Sequence, residues 1–349
     1  MTESVWDGVV GQPRAVRQLT DAARRPVHAY LFVGPAGSTK DEAARGFAAL
    51  VLTGADDPDQ RAARLTLAGE HPDVREVQRV GARIAAEQVA EIIRVANLAP
   101  VEGSRKVMIL HELHLLDAAG AARLLKTVEE PPPSTTFVVL ADQVPPELVT
   151  IASRCVRIEF GHVPDALIVS TLEGEGVDHD AAVVAAAAAG GDLDRARLLA
   201  ADGGLVQRRA AFAAIPSRLD GTGATVVKLC TETTKLIDNA AAPLAARQAA
   251  EVAELEARIK SQGERGSGRK QLEDRHKREL RRHRTDEWRA GLAVIAATYR
   301  DALVAGTMPR ADAPAQAVSR IHAALEALDR NPNETLLLQS LLLDLPSLG

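Results

Sequence analysis

Three short apolar runs rich in β-branched and aromatic residues constrain the fold of this chain most strongly: AYLFV, KVMIL and TTFVVLA. Strands that are apolar on both faces are typical of a parallel sheet covered by helices on each side. Segments with helical periodicity separate these runs, and the alternation from Val27 to Phe160 predicts a parallel α/β sheet. Two shorter strands are predicted around Asp73–Val77 and Cys155–Phe160, and helices at Glu42–Leu52, Glu87–Leu98 and Ala118–Glu129.

The strand pattern stops after about Val163, and the rest of the chain is predicted to be helical. Its C-terminal stretch NPNETLLLQSLLLDL places leucines at helical spacing, which favours burial of an apolar helix face in a bundle. We therefore predict three domains: an α/β module over residues 1–163, a small helical domain over 164–209 and a larger all-α domain over 210–349.

Composition limits the function classes. The formal charge of −5 argues against a protein that coats nucleic acid by bulk electrostatics. Cys155 and Cys230 lie far apart and match no disulfide or metal-binding spacing, which suits a reducing cytosol. The acidic start MTESVWDGVV has no signal-peptide pattern, and no window is as long and apolar as a membrane span. We expect a cytoplasmic protein that does not bind a membrane.

The stretch GPAGSTKD follows the first apolar run and nearly matches the phosphate-binding pattern G-x-x-x-x-G-K-[ST]. In that pattern, backbone N–H groups and a helix N-terminus hold phosphates, the lysine reaches the terminal phosphates and the hydroxyl holds magnesium. Gly34, Gly37 and Lys40 are therefore the candidate nucleotide-binding residues. Thr39 stands at the second glycine position, and Asp41 replaces the hydroxyl residue.

Both substitutions oppose nucleotide binding. Thr39 adds a Cβ where the backbone must approach a phosphate closely. Asp41 brings a carboxylate near the anionic phosphates, and like charges about 4 Å apart repel by roughly 4 kcal/mol at an effective dielectric near 20. A bridging magnesium ion could reverse this repulsion, so residual binding of ATP or ADP stays open.

His111-Glu112 follows the strand KVMIL, at the edge where parallel α/β sheets place their chemistry. An active ATPase of this kind carries Asp-Glu there, with the aspartate in the magnesium shell and the glutamate polarising the attacking water. A neutral imidazole is a poor magnesium ligand, so the sequence favours His111 as a polar residue at a strand end. Together with Thr39 and Asp41, it predicts a site that does not hydrolyse nucleotide.

Residues 255–290 are dense in charge, with 12 Lys and Arg against 7 Asp and Glu. Gly263, Gly266 and Gly268 predict a flexible turn between two helices. The favoured interpretation is a solvated helical pair with many salt bridges; a basic face that contacts DNA or an acidic partner is the alternative.

Several motifs together resemble one family, the delta-prime subunits of bacterial DNA polymerase III clamp loaders, which are AAA+ proteins. They occur in the order and spacing of that family over about the first 200 residues. The motifs are VGQPRAVRQL (Val10–Leu19), HAYLFVGPAG (His28–Gly37), HPDV (His71–Val74), ARLLKTVEEPPPSTTFVVLA (Ala122–Ala141) and Ser153-Arg154-Cys155.

The resemblance implies a AAA+ module, a small helical lid over 164–209 and a helical collar over 210–349. It implies a ring subunit deficient in ATP hydrolysis that helps to load a sliding clamp onto primed DNA. The implied partners are ATPase subunits of the gamma or tau type, the delta subunit, the sliding clamp and primer-template DNA. We expect no resident cofactor, apart from the residual ATP or ADP binding already left open.

Two features depart from the family pattern. Many members carry a four-cysteine zinc module after the first helix, but the segment LTGADDPDQRAARLTLAGEHPD has no cysteine. A structural zinc site needs four nitrogen or sulfur ligands, so we predict no metal and a short loop or helix in its place. In the lid, Asp194 stands closest to the position of the family's sensor arginine, with Arg195 beside it, so no nucleotide contact is assigned there.

The resemblance gives Ser153-Arg154-Cys155 a catalytic role in trans. In that family the motif projects an arginine into the nucleotide site of a neighbouring subunit. Arginine suits this role because it is always charged and its planar fork matches phosphate oxygens. The simpler alternative is an ordinary arginine at a strand edge, paired with a carboxylate such as Glu159. Cys155 is then a small apolar residue that enters the sheet.

Two other function classes stay open at this point. One is an active enzyme, either the gamma or tau ATPase subunit itself or an independent AAA+ ATPase, against which Thr39, Asp41 and His111 weigh. The other is a nucleic-acid-binding protein that works through the basic segment 255–290, against which the acidic overall charge weighs.

Overall fold

The structure is a computed structural model that describes residues 3–79, 84, 86–262, 269–305, 312–328 and 332–348. The chain forms two compact units, Met1–Arg197 and Leu198–Gly349. The first contains all the described strands, and the described elements of the second are all helices. The finer division into three domains stays a prediction.

A five-stranded parallel sheet forms the centre of the first unit, as the apolar runs predict. Its spatial order is β2-β3-β4-β1-β5, so β1 lies between β4 and β5. Every residue of β1, β3 and β4 is buried, which explains why these three strands lack polar alternation. The strands are β1 Ala29–Val33, β2 Val74–Val77, β3 Lys106–Leu110, β4 Thr135–Ala141 and β5 Val156–Glu159.

Helices cover both faces of this sheet, because successive residues of a strand point to opposite sides. Tyr30 and Phe32 of β1 pack in a core with the helices on one face, whereas Leu31 and Val33 pack in the core of the other face. The helices of the first unit are α1 Pro13–Ala23, α2 Lys40–Thr53, α3 Arg61–Leu67, α4 Ala86–Ala96, α5 Ala118–Glu129, α6 Val149–Ala152, α7 Asp165–Gly174, α8 His179–Ala189 and α9 Leu193–Ala200, the last of which continues across the boundary.

A short helix occupies the segment for which the sequence predicts a short loop or helix in place of a zinc module. Helix α3 buries Ala63 and Thr66 and packs beside α2, as the prediction of a short loop or helix required. Asp73, at the end of this segment, is fully buried, and its carboxylate accepts hydrogen bonds from the backbone N–H groups of Val101, Glu102 and Gly103. In the part of the chain that the structure describes, no group of His, Cys, Asp or Glu is arranged to hold a metal ion.

The second unit has its own apolar core, which contains Phe212, Trp288 and Tyr299 among others. In α16, Leu338, Leu341 and Leu342 are buried as predicted, whereas Leu336 and Leu343 remain exposed. The helices are α10 Leu205–Ala213, α11 Ile215–Arg218, α12 Gly223–Ala240, α13 Ala242–Gln262, α14 Arg269–Ala305, α15 Asp312–Leu328 and α16 Glu334–Asp344.

The charge-dense segment 255–290 lies on α13 and α14, and its arginines form many ion pairs. Arg275 pairs with Glu251, Arg284 with both Asp238 and Glu334, and Arg269 with Glu256. These contacts agree with the interpretation of a helical pair laced by salt bridges. The predicted turn at Gly263, Gly266 and Gly268 lies outside the described residues. No described helix is long and apolar enough to cross a membrane.

Candidate functional site

The loop that joins β1 to α2 brings the predicted residues Gly34, Gly37 and Lys40 together at the carboxyl edge of the sheet. Gly34 is required by packing, because a Cβ there would lie 2.5 Å from the carbonyl oxygen of Phe160. Gly37 has φ +65°, and a Cβ there would lie 1.9 Å from Oδ1 of Asp192. The carboxylate of Asp192 thus packs directly against the loop and places a negative charge beside it.

Thr39 takes the left-handed backbone conformation, with φ 60°, that glycine adopts without strain. Thr39 therefore holds a strained backbone conformation, and the predicted conflict between its Cβ and a bound phosphate stays a prediction. The side chain has a role that the sequence did not indicate: its hydroxyl lies 3.2 Å from both the nitrogen and the oxygen of Val10. Gln12 adds a second link, because its amide donates to the carbonyls of Ser38 and Gly161. These bonds tie the N-terminal segment to the loop.

Lys40 is buried, and its ammonium group is held by atoms of this chain. Nζ lies 2.9 Å from the carbonyl oxygen of Pro35 and 2.9 Å from Oδ1 of Asp142. Asp142 directly follows β4, so its carboxylate reaches the loop from the neighbouring strand. The group that would contact terminal phosphates in a working site is instead neutralised by an internal carboxylate.

His111 lies between two carboxylates. Nδ1 is 2.8 Å from Oδ1 of Asp41 and Nε2 is 3.0 Å from Oε2 of Glu76, while the ring itself is 9% exposed. An imidazole donates from both nitrogens only when it is protonated. Burial alone would lower the pKa of His111, but the hydrogen bonds and charges of the two carboxylates raise it to about 9. His111 is therefore a polar residue at a strand end, as the sequence predicts, and its two carboxylate partners, which the sequence did not indicate, favour the protonated, cationic ring.

Arg45 completes this cluster. Its Nε lies 2.6 Å from Oε1 of Glu76, so that Glu76 contacts both cations. Burial would raise the pKa of Glu76, yet the hydrogen bonds from His111 and Arg45 hold it at about 2. Burial would raise the pKa of Asp41, but the hydrogen bond from His111 and the charges of His111, Lys40 and Arg45 together lower it. Two carboxylates and two cations leave the cluster neutral.

The cluster does not fit the magnesium ion that an ATPase of this kind would use. Magnesium needs oxygen ligands in near-octahedral geometry, whereas the N–H groups of His111 occupy the space between the oxygens of Asp41 and Glu76. Asp41 cannot supply the hydroxyl of the phosphate-binding pattern. Its carboxylate is engaged by the ring of His111, and the predicted repulsion between Asp41 and nucleotide phosphates stays a prediction.

Glu112, which the sequence retains at the position of a water-polarising glutamate, is also paired. Nε of Arg79 lies 2.8 Å from Oε2 of Glu112. The backbone of Glu112 is left-handed, with φ 52°, a conformation that costs a non-glycine residue energy. His114 lies nearby, and its Nδ1 accepts a hydrogen bond from the backbone N–H of Asp142. Lys40, His111 and Glu112 are thus all held by charged groups of the same chain.

Arg154 lies in the turn that precedes β5, between Ser153 and Cys155. Its side chain is 34% exposed. Nη1 donates to the carbonyl oxygen of Thr150 at 3.0 Å and to Oγ of Ser153 at 3.2 Å. Ser153 therefore supports the arginine directly. Cys155 packs beside the apolar core, where burial raises the pKa of its thiol to about 12, which agrees with its interpretation as an inert apolar residue.

The alternative interpretation expected Arg154 to pair with a carboxylate such as Glu159; the structure shows a carboxylate pair, but with a different partner. Glu159 pairs with Arg157, two residues away on the same strand. Arg154 instead forms an ion pair with Glu129, at 3.1 Å between Nε and Oε2. His28 contacts the backbone of the turn, with Nε2 lying 3.0 Å from the carbonyl oxygen of Arg154. Sequence reasoning missed Glu129 because α5 and this turn are separate elements.

The residues of the predicted lid at the sensor position engage other groups of the same unit. Asp194 pairs with Arg197, at 3.2 Å, and Arg197 also pairs with Glu175. The backbone N–H of Arg195 donates to Asp192 at 2.9 Å. Nothing in these contacts assigns a nucleotide-sensing role to Asp194 or Arg195.

These observations first define a class. The parallel sheet of order β2-β3-β4-β1-β5, with a glycine-rich loop after its central strand β1 and Glu112 at the end of β3, is a P-loop module of the AAA+ kind. The predicted fold, an α/β AAA+ module followed by helical regions, is confirmed.

Comparison with known proteins then gives a family match. Residues 11–164, less than half of the chain, match the family model described as "DNA polymerase III, delta subunit". The resemblance found in the sequence motifs is thereby confirmed.

Two curated relatives and one solved structure illustrate the similarity. The chain is 31% identical to DNA polymerase III subunit tau of Bacillus subtilis over 174 residues, 48% of this chain and 31% of the relative. It is 35% identical to subunit delta' of Pseudomonas aeruginosa over 138 residues, 37% of this chain and 42% of the relative. The chain thus spans less than half the length of either relative. A gamma subunit-related protein from Thermotoga maritima aligns with a TM-score of 0.46 and 17% identity, covering 94% and 97% of the two chains.

Proposed function

We propose that this chain is a clamp-loader subunit of DNA polymerase III that does not hydrolyse ATP itself. In this proposal it supplies Arg154 to the nucleotide site of a neighbouring ATPase subunit of the gamma or tau type. The delta subunit, the sliding clamp and primer-template DNA are its other partners. The family match of residues 11–164 supports the clamp-loader assignment.

The position of Arg154 in the sheet is the observation that carries the proposal. Strands β1 and β5 are parallel, with Tyr30 opposite Val156 and Val33 opposite Glu159. The phosphate-binding-like loop follows the carboxyl end of β1, whereas Arg154 precedes the amino end of β5. Along the strand direction, the loop and Arg154 are separated by about six residues of extended chain, or roughly 20 Å. Arg154 therefore lies at the opposite edge of the sheet and cannot serve the loop of its own chain.

The charges around that loop support the absence of hydrolysis. Lys40, His111 and Glu112 are each paired with opposite charges of this chain. A magnesium–nucleotide complex would have to break several of these pairs and displace a buried cation. Such an exchange has a high desolvation cost unless every charge finds a new partner. Weak binding of ATP or ADP to Gly34, Gly37 and Lys40 remains compatible with the proposal.

The arginine is chemically suited to act in trans. Its guanidinium stays protonated and offers a planar set of donors to phosphate oxygens. A cation placed at a transferring phosphoryl group stabilises the charge that develops in the transition state. In our proposal the chain thus contributes to catalysis at a site that it does not contain.

The experiment is a reconstituted complex with the ATPase and delta subunits, in which Arg154→Ala is compared with Arg157→Ala. Arg157 is a matched control because it is an exposed arginine three residues further along, on β5. We expect Arg154→Ala to leave assembly intact, to reduce total ATP hydrolysis in part and to reduce clamp loading more. Arg157→Ala should change neither. Normal clamp loading by the Arg154→Ala complex contradicts the proposal.

An active ATPase is the second candidate, because a tau subunit matches this chain at an identity similar to that of a delta' subunit. ATP turnover by the purified chain distinguishes the two. We expect none above that of a Lys40→Ala variant. Turnover that Lys40→Ala abolishes would establish the ATPase instead.

A further inference from the structure

Helix α5 ends on two acidic residues, Glu129 and its C-cap Glu130. A helix C-terminus carries a partial negative charge, so that carboxylates there are unfavourable and cations are preferred. Both side chains are exposed, so buried contacts do not explain why two acidic residues stand at this helix end. Glu129 forms an ion pair with Arg154.

The contacts of Arg154 leave part of its guanidinium uncommitted. Glu129 faces Nε, while Thr150 and Ser153 accept from Nη1. The Nε–H is not aimed at an acceptor in hydrogen-bond geometry, so Glu129 holds the group through charge more than through an aligned bond. A third of the side chain is open to solvent. The carboxylate neutralises the guanidinium without enclosing it.

We propose that Glu129 is a positioning residue that holds Arg154 in a resting position, from which the triphosphate of a neighbouring subunit draws it away. This rests on the proposed function of Arg154. The carboxylate of Glu129 and a phosphate compete for one guanidinium, because the oxygens of both anions accept hydrogen bonds from the same N–H groups. As long as Glu129 is in place, an approaching phosphate meets a neutral pair rather than a free cation.

The strength of the pair suits such a competition. Glu129 and Arg154 are 48% and 34% exposed, and exposed ion pairs of this kind shift an equilibrium by only about 1.5- to 5-fold. A triphosphate carries several charges and outcompetes one carboxylate. The contact with Glu129 thus weakens the binding of Arg154 to the triphosphate but does not prevent it.

The test uses the full chain with Glu129→Gln, and with Glu130→Gln as a matched control. Each variant removes one acid from the same helix end, so any effect of the helix dipole is shared. In the isolated chain, the NMR resonance of the Arg154 Nε–H should shift in Glu129→Gln and stay unchanged in Glu130→Gln. In the complex, we measure the chain concentration that gives half-maximal stimulation of ATP hydrolysis by the ATPase subunits. We expect it to fall about 1.5- to 5-fold for Glu129→Gln and to stay unchanged for Glu130→Gln.

The outcomes separate this inference from the proposed function. An unshifted Nε–H resonance in Glu129→Gln shows that the resting contact does not form and overturns the inference. A shifted resonance with an unchanged or increased half-maximal concentration also overturns it, while loss of stimulation in Arg154→Ala leaves the proposed function standing. Unchanged stimulation by Arg154→Ala removes the proposed function and this inference with it.

Discussion

The loop after β1 and the turn before β5 belong to adjacent strands, yet they satisfy their charges in different ways. In the loop region, the side chains of Lys40 and His111 are 5% and 9% exposed, and both have carboxylate partners. In the turn, Arg154 is 34% exposed, with one loose ion pair. Buried charges require internal partners, whereas an exposed arginine can exchange its partner at little cost. In our proposed function, the paired charges of the loop region belong to a site that does not hydrolyse nucleotide, and Arg154 is available to another subunit.

The largest expected effect of a substitution in these two regions is on ATP hydrolysis in the complex. Arg154→Lys keeps the charge but loses the planar fork, so it should recover little of the activity lost in Arg154→Ala. At the single site that this chain completes in our proposal, we expect a loss on the order of 10³–10⁵ in rate. Sites completed by other subunits mask part of this loss in steady-state turnover. Single-turnover hydrolysis resolves it, and full recovery in Arg154→Lys would show that charge alone is sufficient.

The second effect concerns stability. His111→Gln leaves Asp41 and Glu76 without their shared cation, and breaking buried pairs costs about 3 to 5 kcal/mol. Because the side chain of Asp41 is 47% exposed, we expect a loss at or below the lower end of this range, about 2 to 3 kcal/mol. Arg154→Ala should cost less than about 1 kcal/mol. Urea denaturation of the isolated chain measures both. Equal losses of unfolding free energy in the two variants would show that His111 is paired no more strongly than Arg154.

The dependence of stability on pH follows from the pKa of His111. This pKa rises from 6.5 to about 9 in the folded chain, so the stabilisation is complete below pH 6.5 and is lost as the pH rises through about 9. Glu76 acts in the opposite direction: its stabilisation is present above pH 4.5 and is lost as the pH falls toward 2. The free energy of unfolding should decrease between pH 7 and pH 10 more in the wild type than in His111→Gln. Parallel curves would show that His111 is not protonated in the folded chain.

The smallest effect is expected from repairing the loop. Thr39→Gly with Asp41→Thr restores the phosphate-binding pattern but leaves His111 beside Glu76 and no sensor arginine assigned. We expect nucleotide binding to improve at most, without turnover. Isothermal titration with ATP and magnesium measures the binding, and a phosphate-release assay measures the turnover. Steady turnover by this double variant would show that Thr39 and Asp41 alone prevent hydrolysis.

Much of the fold could be predicted from local sequence patterns. The strands AYLFV, KVMIL and TTFVVLA and the helix Ala118–Glu129 have the predicted bounds, because apolar periodicity reports which faces a segment buries. The position of the loop residues Gly34 and Lys40 followed from their spacing after a strand. The Ser153–Cys155 motif was also recognised from sequence, although its role in trans stays a proposal.

The tertiary structure decided which charges meet. His111 is 70 residues from Asp41 and 35 from Glu76 along the chain, so no sequence window contains the cluster that makes it a cation. Arg154 pairs with Glu129 because the end of α5 lies beside the turn. Glu159, which is nearer to Arg154 in the sequence, pairs with Arg157 instead. Residue types and periodicity are local properties that a sequence states directly. Protonation and pairing depend on burial and on charges brought together from separate elements, and only folding determines these.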